Sequence, residues 1–315
     1  MPRKIGVRRT LVTTLILCIG LVVLPAQALA KKKEAPKGTP VLWRAPEDIS
    51  KRDLYLGPGG TAMRPNLRRV TFIKEETGGY SKKFRIRDAS GRVWVAKVGK
   101  EAQSETAAVR LLWAAGYETE VNYLAPRLRI PGQGTFENVR LEARPASVKR
   151  LDEWKWDDNP FVGTPEFQGL KTMMVFLNNW DIKDSNNVVL SGRGEQGNVL
   201  RYVISDLGAT FGKTGTLPLI WRFNRSRNNA EDYEKAKFIE GVRDNGMVNF
   251  RYGGKKREIF ENVTVSQARW LGNLLSGLSP AQIKDAFRAA NYSREEISLL
   301  TDGVLDRIEQ LRNLR

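Results

Sequence analysis

Hydrophobic residues recur at two different periods in this chain, and the two periods are segregated along it. Alternation with period two, the mark of a half-buried strand, dominates residues 65–145, whereas the spacing of an amphipathic helix dominates 164–315. Strands and helices that alternate give a parallel sheet with helices on both faces. A run of strands followed by a run of helices instead gives an α+β fold. Residues 69–73 read as a first strand. Lys83-Phe84-Arg85-Ile86-Arg87 alternates cleanly, Asp88-Ala89-Ser90-Gly91 turns the chain, and 93–98 returns it, which predicts a three-stranded antiparallel meander. A helix is expected over 101–115, stopped by Gly116, and further strands at 128–130 and 139–142.

In the second half, Thr164-Pro165-Glu166 has the hydroxyl, proline and acid of a helix start, and Phe167, Leu170, Met174 and Leu177 follow at helical spacing. Stretches 188–190 and 200–204 bracket a hairpin. The last fifty residues read as helices, one opened by Ser279-Pro280 and another by a capping box of Ser293 with Glu296. The expected architecture is two-lobed: a β-rich lobe over 43–148, a mainly helical lobe over 149–315, and a cleft between them.

The composition narrows the chemistry. The chain has no histidine, and its one cysteine is Cys18. Residues 1–30 read as a secretory signal peptide. Arg3, Lys4, Arg8 and Arg9 precede an apolar run over 11–24 that is short for a bilayer span, Pro25 ends it, and Ala28-Leu29-Ala30 offers a small-x-small cleavage site. The expectation is an exported protein, periplasmic or extracellular, cleaved after Ala30, with a disordered Lys/Pro-rich linker over 31–42. The mature chain would then lack both residues. That excludes Ser-His-Asp and Cys-His catalysis, Cys/His zinc sites and iron–sulfur clusters. Carboxylates, Lys, Arg, Tyr, Asn and hydroxyls remain. A formal net charge of +17 favours anionic partners such as lipid head groups or acidic envelope polymers, or simply keeps the protein soluble. No nucleic-acid-binding motif accompanies the charge.

One ordered set of residues carries chemistry. Val95-Ala96-Lys97 ends a predicted strand, and Glu105 lies on the helix after it. Asp181 and Asn186 are five apart where the long helix of the second lobe ends. The hairpin then runs into Ser205-Asp206-Leu207-Gly208. A second Asp-x4-Asn pair, Asp244/Asn249, lacks that context. Asp181-Ile182-Lys183-Asp184-Ser185-Asn186 resembles the catalytic loop of the protein-kinase-like superfamily, Asp206-Leu207-Gly208 its metal-binding turn, and Val95-Ala96-Lys97 its strand-borne lysine. The compressed spacing is most similar to the atypical branch of type II phosphatidylinositol 4-kinases, HipA-like kinases and secretory-pathway kinases.

The resemblance implies a set of roles. Asp181 would orient and deprotonate a hydroxyl acceptor, and Lys183 would reach the transferring phosphate. Asn186 and Asp206 would hold Mg²⁺, and Lys97, held by Glu105, would neutralise the phosphates of ATP. Gly78-Gly79 stands where a G-x-G-x-x-G loop would cover them, and Asn179-Trp180 replaces the His-Arg before the catalytic aspartate. The acceptor would be a protein, lipid or glycan hydroxyl. Two other readings stay open: a kinase-like scaffold without turnover that binds an anionic ligand or partner, and an unrelated α+β envelope protein. Trp221-Arg222-Phe223-Asn224-Arg225-Ser226-Arg227 mixes aromatic and basic residues as polyanion-binding segments do, although a solvated basic loop beside the cleft is the plainer reading.

Overall fold

The computed structural model describes residue 1 and residues 37–78, 81–194, 197–215 and 224–315. The segment expected to be a signal peptide, apart from residue 1, the first part of the expected linker, Gly79 and residues 221–223 lie outside the described residues. Strand β1 (Thr39–Val41) comes first. Strands β2 (Thr71–Glu76), β3 (Lys83–Arg87) and β4 (Val93–Lys97) form the predicted meander, and helix α1 (Glu101–Ala114) leads to β5 (Asn122–Ile130) and β6 (Gly134–Ala143). The second half contains β7 (Lys149–Arg150), α2 (Pro165–Phe176), the hairpin β8 (Asn187–Gly194) and β9 (Gly197–Ile204), α3 (Ala230–Lys235), and the hairpin β10 (Ile239–Val242) and β11 (Val248–Phe250). It closes with α4 (Val265–Leu275), α5 (Pro280–Ala289) and α6 (Arg294–Arg312).

The first lobe is a five-stranded antiparallel sheet of order β2-β3-β4-β6-β5. Period-two alternation sorts its side chains onto two unlike faces. Phe84, Ile86, Trp94, Ala96, Tyr123 and Leu141 form an apolar core on one face, with Met63, Leu67 and Val70 packed against it. Their sequence neighbours Lys83, Val95, Lys97, Arg140 and Glu142 line a cleft shared with the second lobe. A one-residue slip of any strand would exchange the two sets, so the register is firmly specified. The β3–β4 turn is fixed by Asp88. Its buried carboxylate accepts from the backbone N–H groups of Asn66 (3.1 Å), Ser90 (2.9 Å) and Arg92 (3.0 Å), the Ser90 hydroxyl (2.7 Å) and Trp94 Nε1 (3.0 Å).

The second lobe is built on the buried helix α2. Thr164 caps it, accepting from Phe167 N–H at 3.2 Å. The expected capping box of Ser293 with Glu296 opens α6, and like boxes open α4 (Thr264 with Gln267) and α5 (Ser279 with Gln282). Helix α6 is pinned to α2 by Arg307, which is buried and has no acid partner within ion-pair distance among the described residues. Its guanidinium donates to Phe176 O (2.9 Å), Asn178 Oδ1 (3.2 Å), Tyr233 O (2.9 Å) and Ala236 O (3.1 Å). The C-terminal helices are therefore part of the lobe that carries the second half of the site.

The α+β class and the division into an antiparallel-sheet lobe and a mainly helical lobe match the expectation. Three details differ. The linker expected over 31–42 ends early, because Thr39–Val41 pairs in parallel with β9, completing a small sheet of order β1-β9-β8-β7. The strands expected at 128–130 and 139–142 are parts of a longer pair, the first at the turn end of β5 and the second towards the far end of β6. Pro126 obscures the first of these in the sequence, and β5 tolerates it as an edge strand. Helix α3 and the β10–β11 hairpin are too short to show a periodicity.

Candidate active site

Lys97 is the last residue of β4, and only Val98-Gly99-Lys100 separate it from the first turn of α1. The tight connection folds the helix back over the strand end. Glu101 and Glu105, one turn apart on one helix face, both reach the lysine: its Nζ lies 2.9 Å from each carboxylate and 3.5 Å from Asp206 Oδ1. Glu105 is almost fully buried and bridges to a second cation, Arg140 on β6, at 3.0 Å. Burying one carboxylate between two cations offsets a desolvation penalty that neither pair alone would cover.

The opposing wall comes from the second lobe. Helix α2 ends at Phe176, and Asn178 turns the chain in the left-handed region (φ 51°), a conformation that asparagine tolerates. Its side-chain amide donates to Gly212 O at 2.7 Å, and Asn179 Oδ1 accepts from the Asp181 N–H at 3.2 Å, which fixes the start of the loop. Asn186 donates from Nδ2 to Asp181 O at 2.7 Å, closing the loop on itself, so its Oδ1 is the atom left for another partner. The Asn186 carbonyl accepts from the N–H groups of Ser205 (2.7 Å) and Asp206 (3.3 Å), which brings the aspartate beside the asparagine.

Asp206 accepts from the Gly208 N–H at 3.1 Å. Burial pushes the Asp206 carboxyl up, but the Lys97 charge, the Gly208 N–H, Arg140 and Lys83 outweigh it and hold the group below the ordinary carboxylate range. Gly208 is required by close approach: a Cβ there would lie 2.7 Å from Glu101 Cβ. Ser104 on α1 donates to Gly208 O at 3.0 Å, so the turn docks on the helix that carries Glu105.

Lys97, Glu105, Asp181, Lys183, Asn186 and Asp206 thus line one cleft of about 820 Å³. Gly78 is not among its lining residues, and its carbonyl accepts from Lys83 Nζ at 3.2 Å. Nine cationic and six acidic side chains line the cleft among the described residues. Several of these carry no motif in the sequence. Lys255, after β11, lies 2.5 Å from Asp181 Oδ1, while Lys183 holds Oδ2 at 3.0 Å. The strap bearing Lys255 is bonded to the Asp181 loop: Lys255 N–H donates to Trp180 O (3.0 Å) and the Tyr252 hydroxyl to Asn179 O (2.7 Å). Gly254 packs so closely there that a Cβ would lie 2.7 Å from Trp180 Cα. Trp180 is buried, donates to Ser226 O at 2.8 Å and stacks under Arg225 (3.9 Å) and Arg227 (4.9 Å), and Arg227 pairs with Glu101. The described part of the aromatic–basic segment is therefore a wall of the cleft.

Val95 and Val188 also line the cleft, amid charged groups. Arg140 pairs with Glu142 at 2.6 Å; Arg144 pairs with Glu142 and, at 3.1 Å, with Glu120; Arg150 pairs with Glu120. Arg150 also donates to Ser205 Oγ (2.8 Å), which donates to Glu120 Oε2 (2.8 Å). No group of three or more acidic, His or Cys side chains placed to hold a metal is present among the described residues. Mg²⁺ does not require one, since it takes one or two protein oxygens and completes its shell with phosphates and water. Asp206 and Asn186 Oδ1 fit that donor set.

No protein-family model matches the chain, and no curated protein does. Among solved structures it is similar to the proinflammatory kinase CtkA of Helicobacter pylori, at 11% identity over 78% of this chain and 94% of that one, with a TM-score of 0.48. It is also similar to Rio2 kinase of Chaetomium thermophilum in complex with ADP/Mg²⁺ and phosphoaspartate, at 9% identity over 76% and 72%, with a TM-score of 0.31.

Proposed function

We propose that the chain is a kinase-like phosphotransferase that takes a phosphoryl group from a Mg²⁺-bound nucleoside triphosphate and passes it to a hydroxyl acceptor. The observation that carries the reading is the convergence, in one cleft, of Lys97 with Glu105, Asp181 with Asn186, and Asp206, from four separate stretches of chain. Asp206 and Asn186 Oδ1 would hold Mg²⁺, which neutralises phosphate charge when bound. Lys97, kept in place by Glu101 and Glu105, faces the phosphates. The acceptor oxygen bonds to the terminal phosphorus as the bridging P–O bond breaks, the nucleoside diphosphate leaves, and the hydroxyl proton passes to Asp181. Lys183 is within reach of both Asp181 and the transferred group. On this reading the acceptor is a protein, lipid or glycan hydroxyl, and the leader read over residues 1–30 exports the enzyme, which the mass of the mature protein tests.

The test is thermal unfolding with and without Mg²⁺-ATP, wild type beside Asp206→Ala. A ligand at a hundred times its dissociation constant stabilises by about 2.7 kcal/mol, or about 5–10 °C for a domain of this size. A Mg²⁺-dependent rise lost in the variant supports the reading. No rise in the wild type, or an equal rise in the variant, overturns it. A scaffold without turnover is the second reading. It is favoured by the two lysines on Asp181, which leave the proton acceptor of the reaction already ion-paired. Salt-sensitive retention on anionic lipid or polymer without a nucleotide effect would select it.

A further inference from the structure

Lys83 opens β3, stands directly across from Lys97 on β4, and Lys97 stands across from Arg140 on β6. Residues paired in this way share a face of the sheet, and all three line the cleft. Three like charges in a row across adjacent strands repel unless each is countered. Lys97 is countered by Glu101, Glu105 and Asp206, and Arg140 by Glu105 and Glu142. Lys83 has no carboxylate within ion-pair distance among the described residues, and its ammonium reaches only the Gly78 carbonyl. Burial and then the charge of Lys97 lower its pKa, so the ammonium is held at a cost in the unliganded protein. A cation in that position calls for an anion from outside the chain.

The part of the cleft around Val95 and its cross-strand partner Glu142 complements this. A site discriminates between bases through unpaired donors and acceptors aimed at the base edge. Here most of the groups flanking Val95 are already committed, and among the described residues the buried Asn187 Oδ1 and Arg140 Nε are the cleft-lining side-chain atoms left without a partner beside them. The Ala143 N–H donates to Val121 O and the Arg144 N–H to Val93 O, both at 2.9 Å, and Pro145 has no N–H. Glu142, Arg144, Arg150, Glu120 and Ser205 satisfy one another. Val95 and Val188 line the cleft but are each only 6% exposed, so they give a base little apolar surface to grip.

We propose that the cleft holds its donor by the phosphate chain, with Lys83 as a second phosphate-binding lysine beside Lys97, and distinguishes little between bases. This rests on the phosphotransferase reading and names its donor class: nucleoside triphosphates irrespective of base, with inorganic triphosphate as a ligand in its own right.

The experiment is calorimetric titration of the whole protein with the Mg²⁺ forms of ATP, GTP and inorganic triphosphate, using wild type, Lys83→Met and Lys83→Arg. The wild type should bind all three within about tenfold of one another. Lys83→Met should weaken each by about ten- to a hundredfold, the scale of a lost charge-assisted hydrogen bond, and Lys83→Arg should recover most of the loss. A circular dichroism melt establishes that Lys83→Met is folded; should it not fold, Lys83→Gln takes its place with the same expected loss. Affinities unchanged in Lys83→Met overturn the proposal, because binding is then to other surface cations. ATP preferred over GTP and triphosphate by more than a hundredfold also overturns it. Either result leaves the parent reading standing. Absence of binding by the wild type for all three ligands removes the parent reading and this proposal together.

Discussion

Replacing Arg307 with leucine tests how the C-terminal helix supports the second lobe. The guanidinium donates four hydrogen bonds and lies over the rings of Tyr233 (4.0 Å) and Phe238 (5.2 Å). In the leucine variant Phe176 O keeps a donor, the Tyr233 hydroxyl at 2.9 Å. Asn178 Oδ1, Tyr233 O and Ala236 O each lose one. Bonds from a charged donor contribute about 1.5–3 kcal/mol each, which sets an upper range of about 5–9 kcal/mol. Two effects reduce it. Burial pulls the Arg307 pKa down, so the wild type carries a desolvation cost that leucine removes. Leucine also retains apolar contact with the two rings. The net loss should be about 3–4 kcal/mol, in the range found for breaking a buried polar network. Urea unfolding of wild type, Arg307→Leu and Arg307→Lys at pH 7 measures it, with lysine expected to recover about half by keeping a donor. A loss below about 1 kcal/mol for leucine would refute the argument, because it would mean that the three acceptors are satisfied without the guanidinium.

Other expectations follow from the same geometry. Lys97→Met should abolish the Mg²⁺-ATP thermal shift while leaving the protein folded, since Glu105 keeps its pair with Arg140; an unchanged shift in a melting assay would count against the site. Asp88→Asn should cost about 2–3 kcal/mol at pH 7 in urea unfolding, because an amide turns its NH₂ towards two of five donors. The Asp88 carboxyl is tugged upward by burial but held low by the Ser90, Asn66, Trp94 and Arg92 donors. Its contribution is therefore complete above the unfolded value of about 3.9 and is lost as the pH falls through the lower folded value. The difference between wild type and Asp88→Asn should shrink over that acidic window and stay flat from pH 5 to 8. Gly254→Ala should cost about 1–3 kcal/mol, the scale of overpacking, and should alter nucleotide turnover by displacing Lys255 from Asp181; equal melting temperature and equal phosphate release would show that the strap yields freely.

The parts of the site that could be read in the sequence are those held by local geometry. Asp181 to Asn186 is one loop closed by a five-residue hydrogen bond, and Asp206 to Gly208 is one turn. The Lys97–Glu105 pair is legible in position, with the two residues only eight apart in sequence. The structure explains it by the three-residue link between β4 and α1. Lys83, Arg140 and Lys255 were not legible as site residues for a different reason. Period-two alternation in Lys83-Phe84-Arg85-Ile86-Arg87 tells which side chains share a face and is silent about what covers that face. Charged residues facing water and charged residues facing a second lobe have the same pattern. Lys255 depends further on a hairpin too short to predict and on two glycines whose need for space appears only when Trp180 and Thr214 are in place.

The parallel pairing of β1 with β9 has a consequence for the order in which the molecule can form. Thr39 pairs with Val199, so the partner of this strand is made about 160 residues later. Trp43 packs on Trp270, and Gln282 donates to the carbonyls of Ile49 and Arg52, which come later still. At synthesis rates of about 5–20 residues per second, the first segment waits roughly 10–30 s for its strand partner. The emerging chain can close its five-stranded sheet early, but the smaller sheet keeps an open edge until the amino-terminal segment returns to it. Assembly of the second lobe is thus gated by the two ends of the chain meeting. Trimming residues 37–43 or shortening α5 should each slow refolding of the other end, although the two lie far apart in the sequence.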